Sequence, residues 1–287
     1  MTTIRTTQET EESRAVSSER SLAAGPPPPQ RKVQWRRAVR ALRELLANPD
    51  QTEKAFEVFV ALDGDEEEQR FQRLLADTQG GALVAQLPCL LACLSDRAAL
   101  MALPAESFGR AYLAYLDRTG FDPDGLVKLK SEMEAYAASI GEPLTSLDPA
   151  REWFRVRGLL THDLWHVLTD YGTDDIGETL LLGFSYAQVG GRANCLLLVG
   201  AMVRSIGNHG VGLAREIYRA WRRGRRAVWL FALPYETLLR QPLEAVRVLA
   251  GVEPADRAHP NGIPRGSRRT MSVANVPAGL PSPGGHV

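Results

Sequence analysis

Apolar residues recur at helical spacing through most of the chain. In the first clear example they follow one another every three or four positions until the turn signal Asn48-Pro49-Asp50, and the positions are Trp35, Val39, Leu42 and Leu46. A similar period continues through later segments such as 108–116 and 126–140. We therefore predict a multi-helix protein of the all-α class.

Glycine and proline residues predict where several of these helices begin and end. Gly80-Gly81 should end the third helix, and Asp148-Pro149, a capping residue followed by proline, should begin a later one. A helix from about Tyr235 to Ala250 should be kinked or broken at Pro242, because proline cannot donate the backbone hydrogen bond. Ala227–Leu233 is the only stretch that we predict to be extended.

Both ends of the chain lack the hydrophobic period. Residues 1–31 are rich in Thr, Ser, Glu and Arg and contain a run of prolines, and residues 254–287 are rich in proline and glycine. Such segments cannot bury enough apolar surface to fold by themselves. We predict disordered tails over 1–31 and 254–287 and a single all-helical domain over 32–253.

Composition excludes several classes of protein. Lys and Arg total 34, as do Asp and Glu, so the formal net charge is zero and we predict no nucleic-acid partner. The three cysteines, Cys89, Cys93 and Cys195, support neither a disulfide framework nor a zinc ribbon. The longest apolar runs, Gly81–Leu94 and Cys195–Val203, are shorter than the roughly 20 residues of a membrane-spanning helix. We predict an intracellular protein with no signal peptide and no transmembrane span.

The most informative segment is 161–178. His162 and His166 lie four residues apart, so on a helix they share one face with Cβ atoms about 5–6 Å apart. Two imidazoles so placed can bind one divalent metal, as in the HExxH helix, although such pairs also occur in helices that bind no metal. Asp163 could be a further ligand, an orienting partner of an imidazole, or a base that acts through water.

Glu178 strengthens the metal hypothesis. The segment 170–173 predicts a helix end and a new start, so a second helix from about Asp174 to Val189 would fold back on the first one. That second helix is apolar nearly all round, and a carboxylate on a buried helix needs a counter-charge or a metal. We therefore predict that Glu178 lies beside His162 and His166 as a metal ligand.

These residues resemble the signature of a known family. The pattern H-D-x-x-H, eleven residues and then E is similar to that of the coenzyme Q (ubiquinone) biosynthesis protein 4 family. The run Gly158–Thr169 is similar over its whole length, as is a later block from Trp221 to Arg247, and the resemblance covers roughly residues 35–252. One departure is Tyr235, where the family is expected to carry tryptophan. The N-terminus resembles no mitochondrial presequence, which favours a bacterial member.

The resemblance implies both a site and a pathway. It implies an all-helical protein that binds a divalent metal, with zinc expected, through His162, Asp163, His166 and Glu178. It also implies a cytoplasmic protein bound peripherally to the inner membrane, with a polyprenylated ring lipid as substrate and other ubiquinone biosynthesis enzymes as partners. Assembly as a homo-oligomer is left open.

Two roles are attached to the family, and the sequence does not choose between them. One is metal-dependent C1 decarboxylation of a polyprenylated hydroxybenzoate, coupled to oxidation, with Asp163 and Glu178 as catalytic residues that move a proton to or from the ring. Zinc is redox-inert, so the oxidative half would need another oxidant or a partner. The other role is a non-catalytic lipid-binding scaffold that organises the biosynthetic enzymes, for which a closed structural metal site is expected.

Three further features are candidate ligand contacts. A set of arginines could bind a carboxylate or a lipid phosphate, or could form a solvated basic face: Arg151, Arg155, Arg157 and Arg192. The apolar segments Gly81–Leu94 and Ala193–Val203 could line a groove for the prenyl tail, or could belong to the core. The basic and aromatic segment from Arg215 to Trp229 could dock on an anionic membrane, or could be a plain exposed helix face.

Overall fold

The computed structural model describes residues 25–48, 51, 53–139, 147–209 and 212–263. All regular secondary structure in these residues is helical, which confirms the all-α prediction. The first eight helices are α1 (Trp35–Ala47), α2 (Glu53–Leu62), α3 (Glu66–Ala76), α4 (Thr78–Gln86), α5 (Leu90–Ser95), α6 (Arg97–Met101), α7 (Phe108–Thr119) and α8 (Pro123–Ser139).

The second half of the described chain contains the longest helices. They are α9 (Pro149–Thr169), α10 (Asp175–Val189), α11 (Arg192–His209), α12 (Gly212–Arg226), α13 (Tyr235–Leu238), α14 (Leu243–Ala250) and α15 (Ala255–Ala258). A short 3-10 helix, Leu230–Ala232, lies between α12 and α13. As predicted, α9 begins at Asp148-Pro149, where the Asp148 side chain accepts hydrogen bonds from the first backbone N–H groups.

Two apolar clusters form the core. The larger one surrounds α9 and α10, where Leu164 and Leu180 are fully buried. The smaller one joins α1, α2 and α11 through residues such as Leu62 and Leu197. Leu182 of α10 packs against both clusters, so α10 lies at their junction. Helix α10 therefore contacts both clusters.

Two of the predicted local structures are wrong. Gly80-Gly81 do not end the third helix: α3 ends at Ala76, and both glycines lie inside α4, whose start is capped by the Asp77 carboxylate accepting from the Gly80 N–H at 2.7 Å. The stretch Ala227–Leu233 is not extended, because its centre forms the buried 3-10 turn. Gln188 stabilises that turn by accepting the Leu230 N–H at 2.9 Å.

The predicted break at Pro242 is confirmed. Helix α13 ends at Leu238, Pro242 caps the start of α14, and the two helices are separate elements. The described residues also include parts of both predicted tails. The Gly25 carbonyl accepts a hydrogen bond from Arg151 at 2.8 Å, and His259 is only 2% exposed. Residues 1–24 and 264–287 lie outside the described residues, so the domain boundaries stay predictions.

Candidate metal centre

The hairpin of α9 and α10 builds the site from local sequence. Helix α9 ends at Asp170, which adopts a left-handed conformation with φ 59° and donates its N–H to the His166 carbonyl. Helix α10 starts one short turn later, where the Asp174 carboxylate accepts the N–H groups of Ile176 and Gly177. A Cβ at Gly177 would collide with the Gly172 carbonyl, so the tight return requires glycine there. Glu178 is thereby placed one turn into α10.

Three of the predicted residues come together as expected. One ligand atom each from His162, His166 and Glu178 lie within 4.8 Å of one another. Glu178 is 3.3 Å from the Nε2 atom of His166 and 3.9 Å from the Nε2 atom of His162. Among the described residues this is the only group of three or more metal-ligand side chains this close together. The donor set of two imidazoles and one carboxylate suits zinc and similar divalent metals.

The surroundings of His166 suit a bound cation. Its Nδ1 atom lies 3.1 Å from the Tyr171 backbone carbonyl, which can only accept, so Nδ1 donates this hydrogen bond and Nε2 is the nitrogen that faces Glu178. Nε2 is fully buried and has no hydrogen-bond partner of good geometry among the described residues. A ring nitrogen and a carboxylate oxygen 3.3 Å apart attract each other when a shared proton or a metal lies between them. The residues present therefore fit a divalent metal.

Asp163 lies beside the Nδ1 atom of His162, whereas Glu178 lies nearer to its Nε2 atom. Its Oδ1 atom is 3.5 Å from the Nδ1 atom of His162 and accepts a hydrogen bond from the Tyr115 hydroxyl at 3.3 Å. The carboxylate is buried, and its Oδ2 atom has no hydrogen-bond partner in the described part of the chain. The structure thus does not bring Asp163 into the group of three. Its position matches the orienting role among the three that the sequence left open.

The charges of the site stabilise one another. Burial opposes ionisation of Glu178, but the neighbouring His166 and His162 outweigh it and hold the pKa of Glu178 below its ordinary value. Burial likewise opposes protonation of His162, yet its contact with Asp163 and the charge of Glu178 hold the pKa of His162 above its ordinary value. Glu178 is therefore an anion at neutral pH, as a metal ligand must be.

The site opens on one side into an apolar cavity. His162 is 46% exposed, whereas His166 is completely buried. A cavity of about 270 Å³ reaches both His162 and Glu178, and its apolar walls come from α1, α2, α10 and α11: Leu42, Leu45, Leu46, Phe59, Leu182, Leu197 and Ala201. Part of the segment Ala193–Val203 thus lines a groove, which was one of the two interpretations of this segment, the other being a place in the core. Within Gly81–Leu94, by contrast, Leu83, Val84, Leu90 and Leu94 are buried in the core.

The four arginines near the motif lie outside this group. Arg151 pairs with Glu68 and Asp148, and Arg155 pairs with Glu67. Arg157 is buried and lies 2.5 Å from the Glu236 carboxylate. Arg192 pairs with Asp65 at 3.1 Å and with Glu66 at 2.9 Å. Each guanidinium therefore already has a carboxylate partner, most of them far along the chain. The structure gives these arginines a role in joining helices.

Sequence reasoning missed two aromatic residues that support the site. Tyr115 on α7 stacks on the His166 ring, with centroids 5.7 Å apart, and donates to Asp163. Tyr171 presents its carbonyl to His166 from the turn after α9. Neither contact follows a sequence spacing, because one is long-range and the other uses the backbone. Tyr235, the departure from the family pattern, is buried and accepts a hydrogen bond from the Trp165 indole at 3.0 Å.

Comparison with known proteins supports the family resemblance. The sequence profile of the Coenzyme Q (ubiquinone) biosynthesis protein Coq4 family matches residues 148–256, which include both helices of the site. Over these residues the chain is similar to the Coq4 family. The bovine ubiquinone biosynthesis protein COQ4 homolog, a mitochondrial protein, is 28% identical over 178 residues, which is 61% of this chain and 62% of the relative. The mouse homolog is 27% identical over 180 residues, or 62% of each chain.

These matches cover only part of each relative. The chain spans about 62% of the length of the Coq4 relatives that it matches. A crystal structure of a protein from Nostoc punctiforme, assigned to ubiquinone biosynthesis, superposes with a TM-score of 0.56 at 20% identity, covering 77% of this chain and all of that one. At this identity the likeness shows a shared helical fold. The family resemblance drawn from H-D-x-x-H and Glu178 is confirmed.

Proposed function

We propose that this protein acts in ubiquinone biosynthesis as a metal-dependent enzyme that removes the C1 carboxylate of a polyprenylated hydroxybenzoate. Its similarity to the Coq4 family supports the pathway. The observation that carries the enzymatic role is the open cavity beside His162 and Glu178. A structural metal site is usually closed by four protein ligands, whereas a catalytic one keeps a position free for water or substrate.

The metal is held by His162, His166 and Glu178 in this proposal. A divalent metal bound there supplies a Lewis acid for a carboxylate of the substrate. Tyr171 and Asp163 fix the two imidazoles by accepting from their Nδ1 atoms, so that both Nε2 atoms are available as ligands. Such orienting partners are a regular feature of protein metal sites.

The proton of the reaction is assigned to the carboxylates of the site. When carbon dioxide leaves, the electrons of the broken bond stay on the ring carbon. That carbon then bonds to a proton or, in the oxidative version, to an oxygen atom delivered by an oxidant. Asp163 has one buried oxygen without a hydrogen-bond partner, and Glu178 lies at the mouth of the cavity. Either can hold the proton. An oxidative version of the reaction needs an external oxidant, for which a partner enzyme of the pathway is the proposed source.

The cavity also suits the lipid part of the substrate. Its walls are formed mainly by Leu and Phe side chains, and it runs from the metal ligands to the smaller apolar cluster. An apolar tail gains free energy by leaving water for such a surface. A ring carboxylate at the metal and a prenyl chain in the cavity can therefore be bound at the same time.

Peripheral membrane binding is part of the proposal. In the described part of the chain, no helix is long and apolar enough to cross a bilayer. On the outer face of α12, Tyr218 and Trp221 stack with centroids 5.7 Å apart, and Arg222 and Arg225 lie over their rings. Aromatic and basic side chains together are typical of surfaces that rest on anionic lipid.

The scaffold hypothesis has one observation in its favour. Helix α14 presents Val248 and Leu249 to solvent, 81% and 54% exposed, and Val228, whose N–H donates to the Ala250 carbonyl at 3.0 Å, is 43% exposed. Exposed apolar side chains of this kind are suited to a protein partner. A lipid-binding scaffold would also use the apolar cavity for the prenyl chain, but it has no role for an open metal position, which is why we place the enzyme first.

The decisive experiment compares the wild type with Glu178→Gln, which keeps the shape of the side chain and removes its charge. The full chain is purified, its metal content is measured, and it is incubated with a prenylated hydroxybenzoate under air while carbon dioxide is recorded. We expect about one divalent metal per wild-type chain. Glu178→Gln should stay folded but lose metal and carbon dioxide release, whereas Glu106→Gln, an exposed glutamate outside the site, should match the wild type.

A cellular measurement separates the two hypotheses. A host that relies on Glu178→Gln alone should fail to make ubiquinone if the protein is an enzyme. A scaffold needs only a folded chain on which its partners assemble. Normal ubiquinone levels with Glu178→Gln would therefore contradict the enzyme and leave the scaffold standing.

A further inference from the structure

A second cavity, of about 180 Å³, lies on α12 away from the metal ligands. Its lining contains four arginines and one acid: Arg219, Arg222, Arg223, Arg226 and Glu253, with Gly251. We propose that this cavity, called here the arginine pocket, binds a phosphate group. The proposal rests on the burial, hydrogen bonding and ion pairing of these arginines. It is independent of the reaction at the metal centre.

Arg223 is the strongest evidence for an anion. Only 6% of the residue is exposed, and its Nη2 atom donates to the Thr169 carbonyl at 2.7 Å. Its Nε and Nη1 atoms are fully buried and have no hydrogen-bond partner in the described part of the chain. The faces of Tyr171 and Phe184 lie 4.8 and 5.9 Å from its guanidinium carbon, and no described carboxylate forms an ion pair with it.

A buried guanidinium without an acid is costly. Removing a charge from water must be offset by a partner of opposite sign or by a full set of hydrogen bonds. Burial lowers the pKa of Arg223 below its ordinary value, in keeping with a cation that lacks such a partner. An anion in the adjoining cavity would supply both the charge and the acceptors that Nε and Nη1 lack.

The rim of the arginine pocket adds unpaired positive charge. Arg222 and Arg226 are exposed, and neither forms an ion pair with any described residue; Arg222 lies over the Tyr218 ring instead. Arg219 shares its charge with Glu216 at 2.9 Å. Glu253 is exposed at the edge and is the single acid of the lining. The pocket therefore keeps an excess of positive charge.

These features favour phosphate over other anions. The planar guanidinium presents parallel N–H donors that match the oxygens of phosphate, and several arginines together offset its two charges. The volume is below the roughly 300 Å³ of pockets that enclose whole drug-sized ligands, so it accepts a group rather than a whole cofactor. The group can belong to free phosphate or pyrophosphate, or to a lipid headgroup at a membrane that Tyr218 and Trp221 would also contact.

The test uses two double variants of equal charge. Arg222→Gln with Arg226→Gln removes two exposed arginines that line the pocket. Arg43→Gln with Arg215→Gln removes two exposed arginines, on α1 and α12, that do not line it. Binding of inorganic phosphate and of pyrophosphate to the full chain is measured by calorimetry. Flotation with phosphatidylcholine vesicles, with and without phosphatidic acid, is measured in parallel.

We expect saturable phosphate or pyrophosphate binding to the wild type that becomes at least about tenfold weaker in the pocket variant and changes little in the control. Loss of phosphatidic-acid-dependent flotation in the pocket variant only, without binding of the free ions, would support the proposal and identify a lipid headgroup as the source. Equal losses in both variants would overturn it, because they would report net charge alone. No binding by the wild type in either assay would overturn it as well.

Arg223→Lys gives a second, local measurement. It keeps the charge but removes the Nε and Nη1 donors, so phosphate binding should fall. The variant also loses the Nη2 donor to the Thr169 carbonyl, so the melting temperature without ligand should fall as well, and binding is compared at a temperature where both proteins are folded. If Arg223→Lys binds phosphate as the wild type does, Arg223 is not a ligand of the pocket. Since Arg222 and Arg226 are exposed, their variant keeps the test valid even if Arg223→Lys does not fold.

Discussion

The Nδ1 atom of His166 lies 3.1 Å from the carbonyl oxygen of Tyr171, and this contact determines what the other ring nitrogen can do. Because the carbonyl only accepts, Nδ1 donates this hydrogen bond and the buried Nε2 atom is the nitrogen that faces Glu178. Asp163 stands in the same relation to His162, at 3.5 Å. Each imidazole is thus oriented by an oxygen on the side away from Glu178.

The first prediction concerns Asp163. If it orients His162 without binding the metal, Asp163→Asn keeps an acceptor for Nδ1 and should weaken zinc affinity by about tenfold, within the range typical of such supporting residues. His162→Ala removes a ligand and should cost far more. Zinc affinity is measured by competition with a chelator, with Asp117→Asn, an exposed acid paired to Arg97, as the control. A loss in Asp163→Asn as large as that in His162→Ala would make Asp163 a direct ligand.

The second prediction concerns His259 in the described part of the C-terminal segment. Its two ring nitrogens contact the Tyr171 hydroxyl at 2.8 Å and the Glu216 carboxylate at 2.6 Å, and all three side chains are buried. His259→Ala leaves a buried carboxylate and a hydroxyl without this partner, which should destabilise the protein by about 2–4 kcal/mol. Thermal or denaturant unfolding measures the change.

Arg257→Ala is the matched control for His259. Arg257 lies two residues earlier in the same segment and forms an exposed ion pair with Glu244 at 2.7 Å. Exposed pairs of this kind contribute roughly 0–1 kcal/mol, so its loss should barely change the melting temperature. Equal stability of His259→Ala and the wild type would mean that residues 254–263 do not hold this position in solution.

The sequence was sufficient to predict the α9–α10 hairpin because its signals are local. The spacing of His162 and His166, the cap at Asp148 and the short turn before α10 are all read within a few residues. The position of Asp163 could not be derived in the same way, since it depends on a side-chain rotamer and on Tyr115, 48 residues away. Spacing alone left three roles open for it.

Long-range pairs account for the remaining differences. Glu68 and Glu67, which pair with Arg151 and Arg155, lie more than 80 residues earlier, on α3, and no local pattern connects them. The proline-rich composition after residue 253 concealed His259, whose partners come from α12 and from the turn after α9. Composition describes the average of a segment, whereas a single buried side chain is enough to fix its position.

The third prediction is a pH dependence at Asp63. This residue lines two cavities, and burial, together with the charge of Glu67, raises its pKa from 3.8 to about 6. The folded state therefore binds the proton more tightly than the unfolded state does. Its contribution to stability falls as pH rises from about 4 to 6 and then stays constant.

Asp63→Asn should remove this cost. At pH 7 the variant should be more stable than the wild type by about 1–2 kcal/mol, because Asp63 is partly solvated and the full shift overstates the effect. The difference should vanish below about pH 3, where the wild-type carboxyl is protonated in both states. Unfolding curves across this pH range measure it. A stability difference that does not change with pH would show that ionisation of Asp63 is not its cause.

The last prediction tests the cavity beside the metal centre. Ala201 lines it on α11, and Val203 lies two positions later on the same helix but is 67% exposed. Ala201→Trp should fill the space proposed for the prenyl tail, raising the KM for a prenylated hydroxybenzoate by about tenfold or more, since each buried CH₂ contributes about 0.8 kcal/mol. Metal content should stay unchanged, because the three ligands are on α9 and α10.

Val203→Trp adds the same side chain outside the cavity and should leave KM at the wild-type value. If Ala201→Trp proves unstable, Ala201→Leu provides a smaller obstruction whose effect on KM should have the same sign. An unchanged KM in a folded, metal-bound Ala201→Trp would mean that the lipid tail lies elsewhere, even if the ring reacts at the metal.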